Sequence, residues 1–142
     1  MNVEIERKPS KSDMELLSHG IMAFNDEAIH DLEPIENEER FHVMARNASG
    51  ELVGGIRATC YWNTLHIELL WLSVDVRGSG VGRKLIDQAE AFALENKCEN
   101  ALVETTSWQA KPFYEKNGYR LIATLNNRPK GHSSHYLTKL LI

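Results

Sequence analysis

Apolar residues recur along this chain with two different periods, and the changes of period lay out its elements. Val3 and Ile5 alternate with polar neighbours, which predicts an opening strand over 2–7. Ser12-Asp13-Met14-Glu15 then has the S-x-x-E form of a capping box. Leu17, Ile21, Phe24 and Ala28 follow at helical spacing, so a helix is predicted over 12–29. Residues 40–47 and 51–61 read as two strands joined at Ala48-Ser49-Gly50, a hairpin whose turn is relieved by its glycine. A third, largely apolar strand covers 65–74, interrupted by His66 and Glu68. Leu85, Ile86, Ala89, Phe92 and Ala93 share one face of a helix over 82–96. Asn100 to Thr106 reads as a short strand and Ala110 to Lys116 as a short helix. Pro112 lies near that helix's start, where a missing N–H is harmless, and Gly118 lies just past its end. Residues 119–125 and 134–141 complete the series as two closing strands. The order strand, helix, three strands, helix, strand, helix, two strands is a mixed α/β architecture.

The 142 residues carry no repeat and no Ser/Gly/Pro-rich linker, which predicts one domain over 1–142. A chain near 150 residues buries roughly 68–70% of its unfolded surface, enough for a core without staples. With 42% hydrophobic and 25% charged residues, collagen-like, low-complexity and disordered readings are excluded. Sixteen basic residues against twenty acidic ones give a net charge of −4, so nucleic acid is not expected as a partner. Cys60 and Cys98 lack CxxC or CxxH spacing and cannot form a disulfide framework. The start of the chain lacks the basic and apolar regions of a signal peptide. The longest apolar stretch, around Leu69 to Leu72, is far short of the 18 or so residues of a membrane span. A soluble, cytoplasmic protein is the expectation.

Arg77-Gly78-Ser79-Gly80-Val81-Gly82 is the most informative stretch for chemistry. Glycines let backbone N–H groups approach an anion closely, and the helix that starts here adds its positive dipole end. Together they suit a diphosphate, to which Arg77 can add a charge-assisted contact. A Walker loop would need G-x-x-x-x-G-K-[ST], which the sequence does not contain. A Rossmann fingerprint fails too. Counted from Gly78 or Gly80, its last position is Arg83 or Leu85, and the loop lies mid-chain rather than on the first strand. What remains is R-x-x-G-x-G, which could also be a plain glycine turn between strand and helix.

The longer run Leu70-Trp71-Leu72-Ser73-Val74-Asp75-Val76-Arg77-Gly78-Ser79-Gly80-Val81-Gly82 resembles the acetyl-coenzyme A signature of the GCN5-related N-acetyltransferase (GNAT) superfamily. Phe113-Tyr114-Glu115-Lys116-Asn117-Gly118-Tyr119 resembles its second signature, in the expected order and at about the expected distance. The resemblance implies the acyl-CoA N-acyltransferase fold, a mainly antiparallel central sheet flanked by helices, across nearly the whole chain. It also implies that acetyl-CoA lies in a notch where the long central strand splays from its neighbour. Leu70, Trp71 and Leu72 would then offer backbone groups to the pantetheine and acetyl carbonyl, with the Leu72 N–H as oxyanion donor. Arg77, Gly78, Ser79, Gly80, Val81, Gly82 and Arg83 would wrap the pyrophosphate. Tyr114 matches the family's general acid, which protonates the departing thiolate. The family often carries Asn seven residues earlier, to contact the cofactor arm; this chain has Ser107 there.

An attacking amine must lose a proton, and strict strand alternation puts His66, Glu68, Leu70 and Leu72 on one face unless a bulge intervenes. His66 and Glu68 are therefore candidate bases, acting directly or through water, and Glu104 is a third. A satisfied polar pair on a half-buried strand is the bland alternative. For the acceptor, Asp26, Glu27, Asp31, Glu33, Glu36, Glu38 and Glu39 precede Arg40 and would attract a cationic amine. They read equally as a solvated acidic loop. The segment Asn126 to Ser134, with Pro129, Gly131 and His132, is a candidate opposite lip; His132 and His135 lack the companions of a metal site.

These readings converge on an acetyl-CoA-dependent N-acetyltransferase acting on a small-molecule amine by direct attack, without metal. Neither cysteine sits in a nucleophile context, which agrees with direct transfer. The alternatives are a catalytically silent acyl-CoA sensor and a protein or peptide N-acetyltransferase. Family members often pair, so the resemblance brings a homodimer as an expectation, although no residue pattern fixes the oligomeric state.

Overall fold

A computed structural model describes residues 1–142, which divide into two compact units, 1–34 and 35–142. The first unit is built on helix α1 (Lys11–Ala28). Its N-cap is Ser10, whose hydroxyl accepts the Asp13 N–H at 3.1 Å. The expected cap Ser12 instead sits inside the first turn, so the cap lies two residues earlier than read. The opening strand predicted over 2–7 does not form. Val3 and Ile5 are exposed and no strand pairs with them, and two alternating apolar residues without a ladder have nothing to hold them extended.

The second unit is a six-stranded sheet in the order β1-β2-β3-β4-β6-β5. Its strands are β1 (Glu39–Arg46), β2 (Leu52–Tyr61), β3 (Thr64–Leu72), β4 (Asn100–Thr106), β5 (Arg120–Asn126) and β6 (Ser133–Leu140). Every pairing is antiparallel except β3 with β4, which is parallel. A parallel pair needs a crossover, and helix α2 (Val81–Glu95) supplies it; α3 (Lys111–Lys116) joins β4 to β5. The β1–β2 turn closes on Asn47, whose Oδ1 accepts the N–H groups of Ser49 and Glu51 at 3.0 Å each, with Gly50 at φ 81°. The β2–β3 turn is Trp62-Asn63, both at positive φ, the geometry of the tight turns that match strand twist.

The core lies between one face of the sheet and α2. Ile56, Leu65, Ile67, Ile86 and Leu137 are fully buried there, beside Ala89, Ala93 and Ala101. The helical stripe predicted from sequence is the face α2 buries; Phe92 at its margin meets Phe41 with ring centroids 4.2 Å apart. The third strand ends at Leu72 rather than residue 74, because Val74–Val76 form a short 3₁₀ turn leading into the glycine loop.

Candidate active site

The site begins where two strands part. β3 and β4 pair only from Thr64↔Asn100 to Ile67↔Val103. Beyond that point β3 continues along β2 and β4 continues along β6, leaving a fork between them. The fork opens a cleft of about 630 Å³, walled by Glu68, Leu70, Leu72 and Arg77 on one side and by Glu104, Trp108, Phe113 and Tyr114 on the other.

A bulge shares this place. Arg57 pairs with Leu69 while the next residue, Ala58, pairs with Ile67, so Glu68 is an extra residue in β3. The extra residue reverses the alternation. Leu65 and Ile67 face the core before it, and Leu70 and Leu72 pack against the core after it. His66 therefore lies on the opposite face from Leu70 and Leu72, which corrects the single-face arrangement expected from strict alternation. It does not line the cleft. The Glu68 carboxylate does, and two guanidiniums hold it: Arg57 Nε at 2.7 Å and Arg40 Nη2 at 3.2 Å.

The ladder also orients backbone groups. The Ser73 N–H donates to Val53 O at 2.8 Å. Hydrogen-bonded and non-bonded pairs alternate in an antiparallel ladder, so Trp71 faces β2 while the N–H and C=O groups of Leu70 and Leu72 face the fork. The Leu72 carbonyl is taken by Arg77 Nε at 3.1 Å, which ties that guanidinium to the cleft wall. The Leu72 N–H thus points into the fork.

From Arg77 the chain enters the glycine loop. Gly78 and Gly80 sit at φ 76° and 87°, a region that side chains rarely adopt, with open space where a Cβ would stand. Gly80 caps α2 without a side-chain hydrogen bond, and Lys84 N–H is the first to reach back, to Gly80 O. The N–H groups of Val81, Gly82 and Arg83 consequently form an uncapped helix start of the kind that binds phosphate. Gly82 has another reason to be glycine: a Cβ there would lie 2.9 Å from the Phe113 ring and 3.3 Å from Leu72. Arg83 is exposed, with Nε 3.9 Å from Asp87.

Across the fork, Tyr114 is buried on α3 between the rings of Phe113 and Tyr119. Burial pushes its phenol up to about 12. Glu104 is held below the usual carboxylate range, first by a hydrogen bond from Tyr136 and then by Arg128, whose Nη1 lies 3.0 Å away. Ser107 lies outside the cleft lining, and its Oγ accepts the Ser133 N–H at 3.2 Å and lies 3.3 Å from His132 Nδ1. It fastens the β5–β6 turn rather than facing the fork. His132 also meets Trp108 edge-on, with centroids 5.0 Å apart, whereas His135 pairs with Thr124. No group of three His, Cys, Asp or Glu residues is arranged to hold a metal ion.

In the acidic run, Asp26, Glu27, Asp31 and Glu33 belong to the first unit, while Glu36, Glu38 and Glu39 belong to the second without lining its cleft. Sequence reasoning missed Trp108, Phe113, Arg40, Arg57 and Arg128 as parts of the site. Phe113 stood inside a quoted motif. The arginines carried no local signal, since each reaches its carboxylate through strand register.

A parallel strand pair that opens beyond a bulge, beside an uncapped glycine-rich helix start, defines a site for a nucleotide-linked acyl group. The sequence pattern of the acetyltransferase (GNAT) domain family matches residues 37–121. A blasticidin-S acetyltransferase of Streptomyces morookaense is 42% identical over 104 residues, covering 72% of this chain and 76% of that protein. The crystal structure of an acetyltransferase from Bacillus cereus ATCC 14579 superimposes with a TM-score of 0.85 at 30% identity, over 96% of this chain and 97% of that one. One described as a streptothricin acetyltransferase from Bacillus anthracis, in complex with acetyl coenzyme A, shares the fold with a TM-score of 0.65 at 23% identity. That match covers 76% of this chain and 64% of the other. The chain belongs to the GNAT acetyltransferase family. The fold, the enzyme class and the acetyl-CoA cosubstrate read from the two motifs stand. No helix is long and apolar enough to cross a membrane.

Proposed function

We propose that this enzyme acetylates a primary amine of a small molecule at the forked cleft, by direct attack. The observation that carries the reading is a single cleft lined both by Leu72, whose N–H faces the fork, and by Tyr114 on α3. The 42%-identical relative supports a small-molecule acceptor, as its name describes an enzyme acting on blasticidin S.

In this reading the glycine loop and the start of α2 bind the diphosphate, and the fork holds the acetyl-bearing arm along Leu70–Leu72. The amine nitrogen bonds to the acetyl carbon, and the Leu72 N–H stabilises the oxyanion. The C–S bond then breaks. A phenol near 12 is a weaker acid than an ordinary tyrosine, whereas thiols titrate near 8.5. Tyr114 therefore stabilises the leaving thiolate as a hydrogen-bond donor, and the thiolate departs unprotonated, to be neutralised in solution by the proton that the amine releases. The amine's proton passes to water at the cleft mouth. His66 shares the sheet face of Glu104 but lies outside the cleft lining, both Glu68 oxygens accept from guanidiniums, and Glu104 is held in its weakly basic ionised form.

Residues 1–142 act together as one domain in this account, supported by a solved relative of nearly the same extent. A cytoplasmic homodimer completes it; both cysteines are buried, as in a protein that needs no disulfide framework, and sedimentation reads the oligomeric state. Thiol release from acetyl-CoA tests the function, with a panel of small amines set beside peptides bearing free N-termini. Release with small amines is expected. Release with peptides alone would replace the acceptor class.

A further inference from the structure

Three cleft residues are left over once the acetyl-bearing arm has been placed. Leu70, Leu72, Phe113 and Tyr114 form the wall that packs toward the core. Leu69 and Trp71 point to the other face of β3, and Trp108 stands on the turn after β4; these three are 44%, 49% and 59% exposed. Large apolar side chains left in water around one cleft mark a binding surface rather than unused core. Between the two diverging strands stands Glu104, on the same sheet face as Tyr136 by register.

Glu104 suits a binding role. Arg128 and Tyr136 keep it ionised and weakly basic, so it attracts a cation without taking its proton. Trp108 meets His132 in a T-shaped contact with centroids 5.0 Å apart, and His132 is tied to Ser107, which limits the orientations open to the indole. Indole faces carry negative potential and favour flat, weakly hydrated cations, which stack as well as attract. A compact ammonium uses such faces less fully, since it keeps its water more tightly.

We infer that the acceptor subsite recognises a flat cationic group, such as a guanidinium, an amidine or a protonated amino-heterocycle, carried on the same molecule as the amine to be acetylated. Trp71 and Trp108 supply the faces and Glu104 the counter-charge. This deepens the small-molecule reading of the same cleft and rests on it for the direction of attack.

The test titrates agmatine, cadaverine and hexylamine into the CoA-bound protein and separately records thiol release from acetyl-CoA with each. Agmatine should bind about tenfold more tightly than cadaverine, the worth of one cation–π contact in a partly desolvated site, and hexylamine most weakly. Trp108→Ala should raise the KM for agmatine about tenfold and leave the KM for acetyl-CoA within twofold, with most of the loss recovered in Trp108→Phe. Equal binding of the three amines would overturn the inference. So would a Trp108→Ala effect on acetyl-CoA as large as that on agmatine, which would assign the indole to the acetyl-CoA arm. Transfer without preference leaves acetylation standing and removes the flat-cation subsite. Preferential binding without thiol release does the reverse.

Discussion

Ile67 is the last residue of β3 to pair with β4, and Val103 is the last of β4 to pair with β3. The next residue on each strand is a glutamate held by arginine, Glu68 by Arg40 and Arg57 and Glu104 by Arg128. A parallel pair that simply ended there would leave two polar strand edges facing one another. The bulge at Glu68 turns β3 away, and the two guanidiniums fix the turned residue from β1 and β2. Coordinates of the fork are thus set by register, one residue beyond the last pair.

Glu68→Ala removes the acceptor for two guanidiniums in a side chain that is 16% exposed. Arg40 and Arg57 are themselves 57% and 42% exposed and can return to water, so the penalty stays modest. A loss of about 1–2 kcal/mol in urea unfolding is expected, at the lower range for hydrogen bonds to charged groups. The KM for acetyl-CoA should rise with it, since the bulge sets the wall that carries Leu70 and Leu72. An unchanged KM would separate the bulge from the cleft.

Two glycines of the same loop should fail in different ways. At Gly82 a methyl group would meet Phe113 and Leu72, so Gly82→Ala should cost roughly 1–3 kcal/mol by overpacking. Phe113→Leu in the same chain should recover part of it, which a double-mutant cycle reads. At Gly80 there is open space but a φ of 87°, so Gly80→Ala should cost about 1–2 kcal/mol of backbone strain. Only the second should resist rescue by Phe113→Leu.

Tyr114→Phe removes a single hydrogen-bond donor from a buried ring position. If that donor steadies the thiolate, kcat should fall roughly 10- to 100-fold, the worth of one hydrogen bond to a charge. The fold should persist, because the ring's packing against Phe113 and Tyr119 is kept. A phenol raised from 10 to about 12 also binds its proton more tightly in the folded chain than in the unfolded one. Its contribution to stability is complete below pH 10 and is lost as pH rises through 12. Ultraviolet difference titration should show this tyrosine ionising near 12, and Tyr114→Phe should lack that late step.

Without a dedicated base, kcat/KM should climb with pH along the free-amine fraction of the acceptor. Two acceptors of different amine pKa should give two different profiles. His66→Gln should leave both in place, because that ring lies outside the cleft lining. A single inflection shared by both acceptors, independent of their amine pKa and abolished in His66→Gln, would restore the histidine as base.

Most elements were legible because their signals are local. The α2 stripe, the Asn100–Thr106 strand and the turn at Gly50 all follow from spacing within a dozen residues, and each forms as read. The misses share a different cause. An alternation of two residues at 3 and 5 cannot show that no partner strand exists, and Ser10 and Ser12 offer equivalent caps until one is chosen. One extra residue in β3 is invisible in composition, yet it moved His66 across the sheet. The motifs named the loop, the wall strand and Tyr114, whereas Arg40, Arg57, Arg128 and Trp108 entered only through tertiary register.

The most direct test of the account is thermal unfolding with saturating acetyl-CoA, beside NADH and ATP. At about 100 times its dissociation constant, acetyl-CoA should stabilise the native protein by roughly 2.7 kcal/mol, and the shift should shrink in Gly80→Ala. NADH and ATP should give little, since neither carries an acyl-pantetheine arm for the fork. No shift with acetyl-CoA, or an equal one with ATP, would contradict the reading of the fork and its glycine loop.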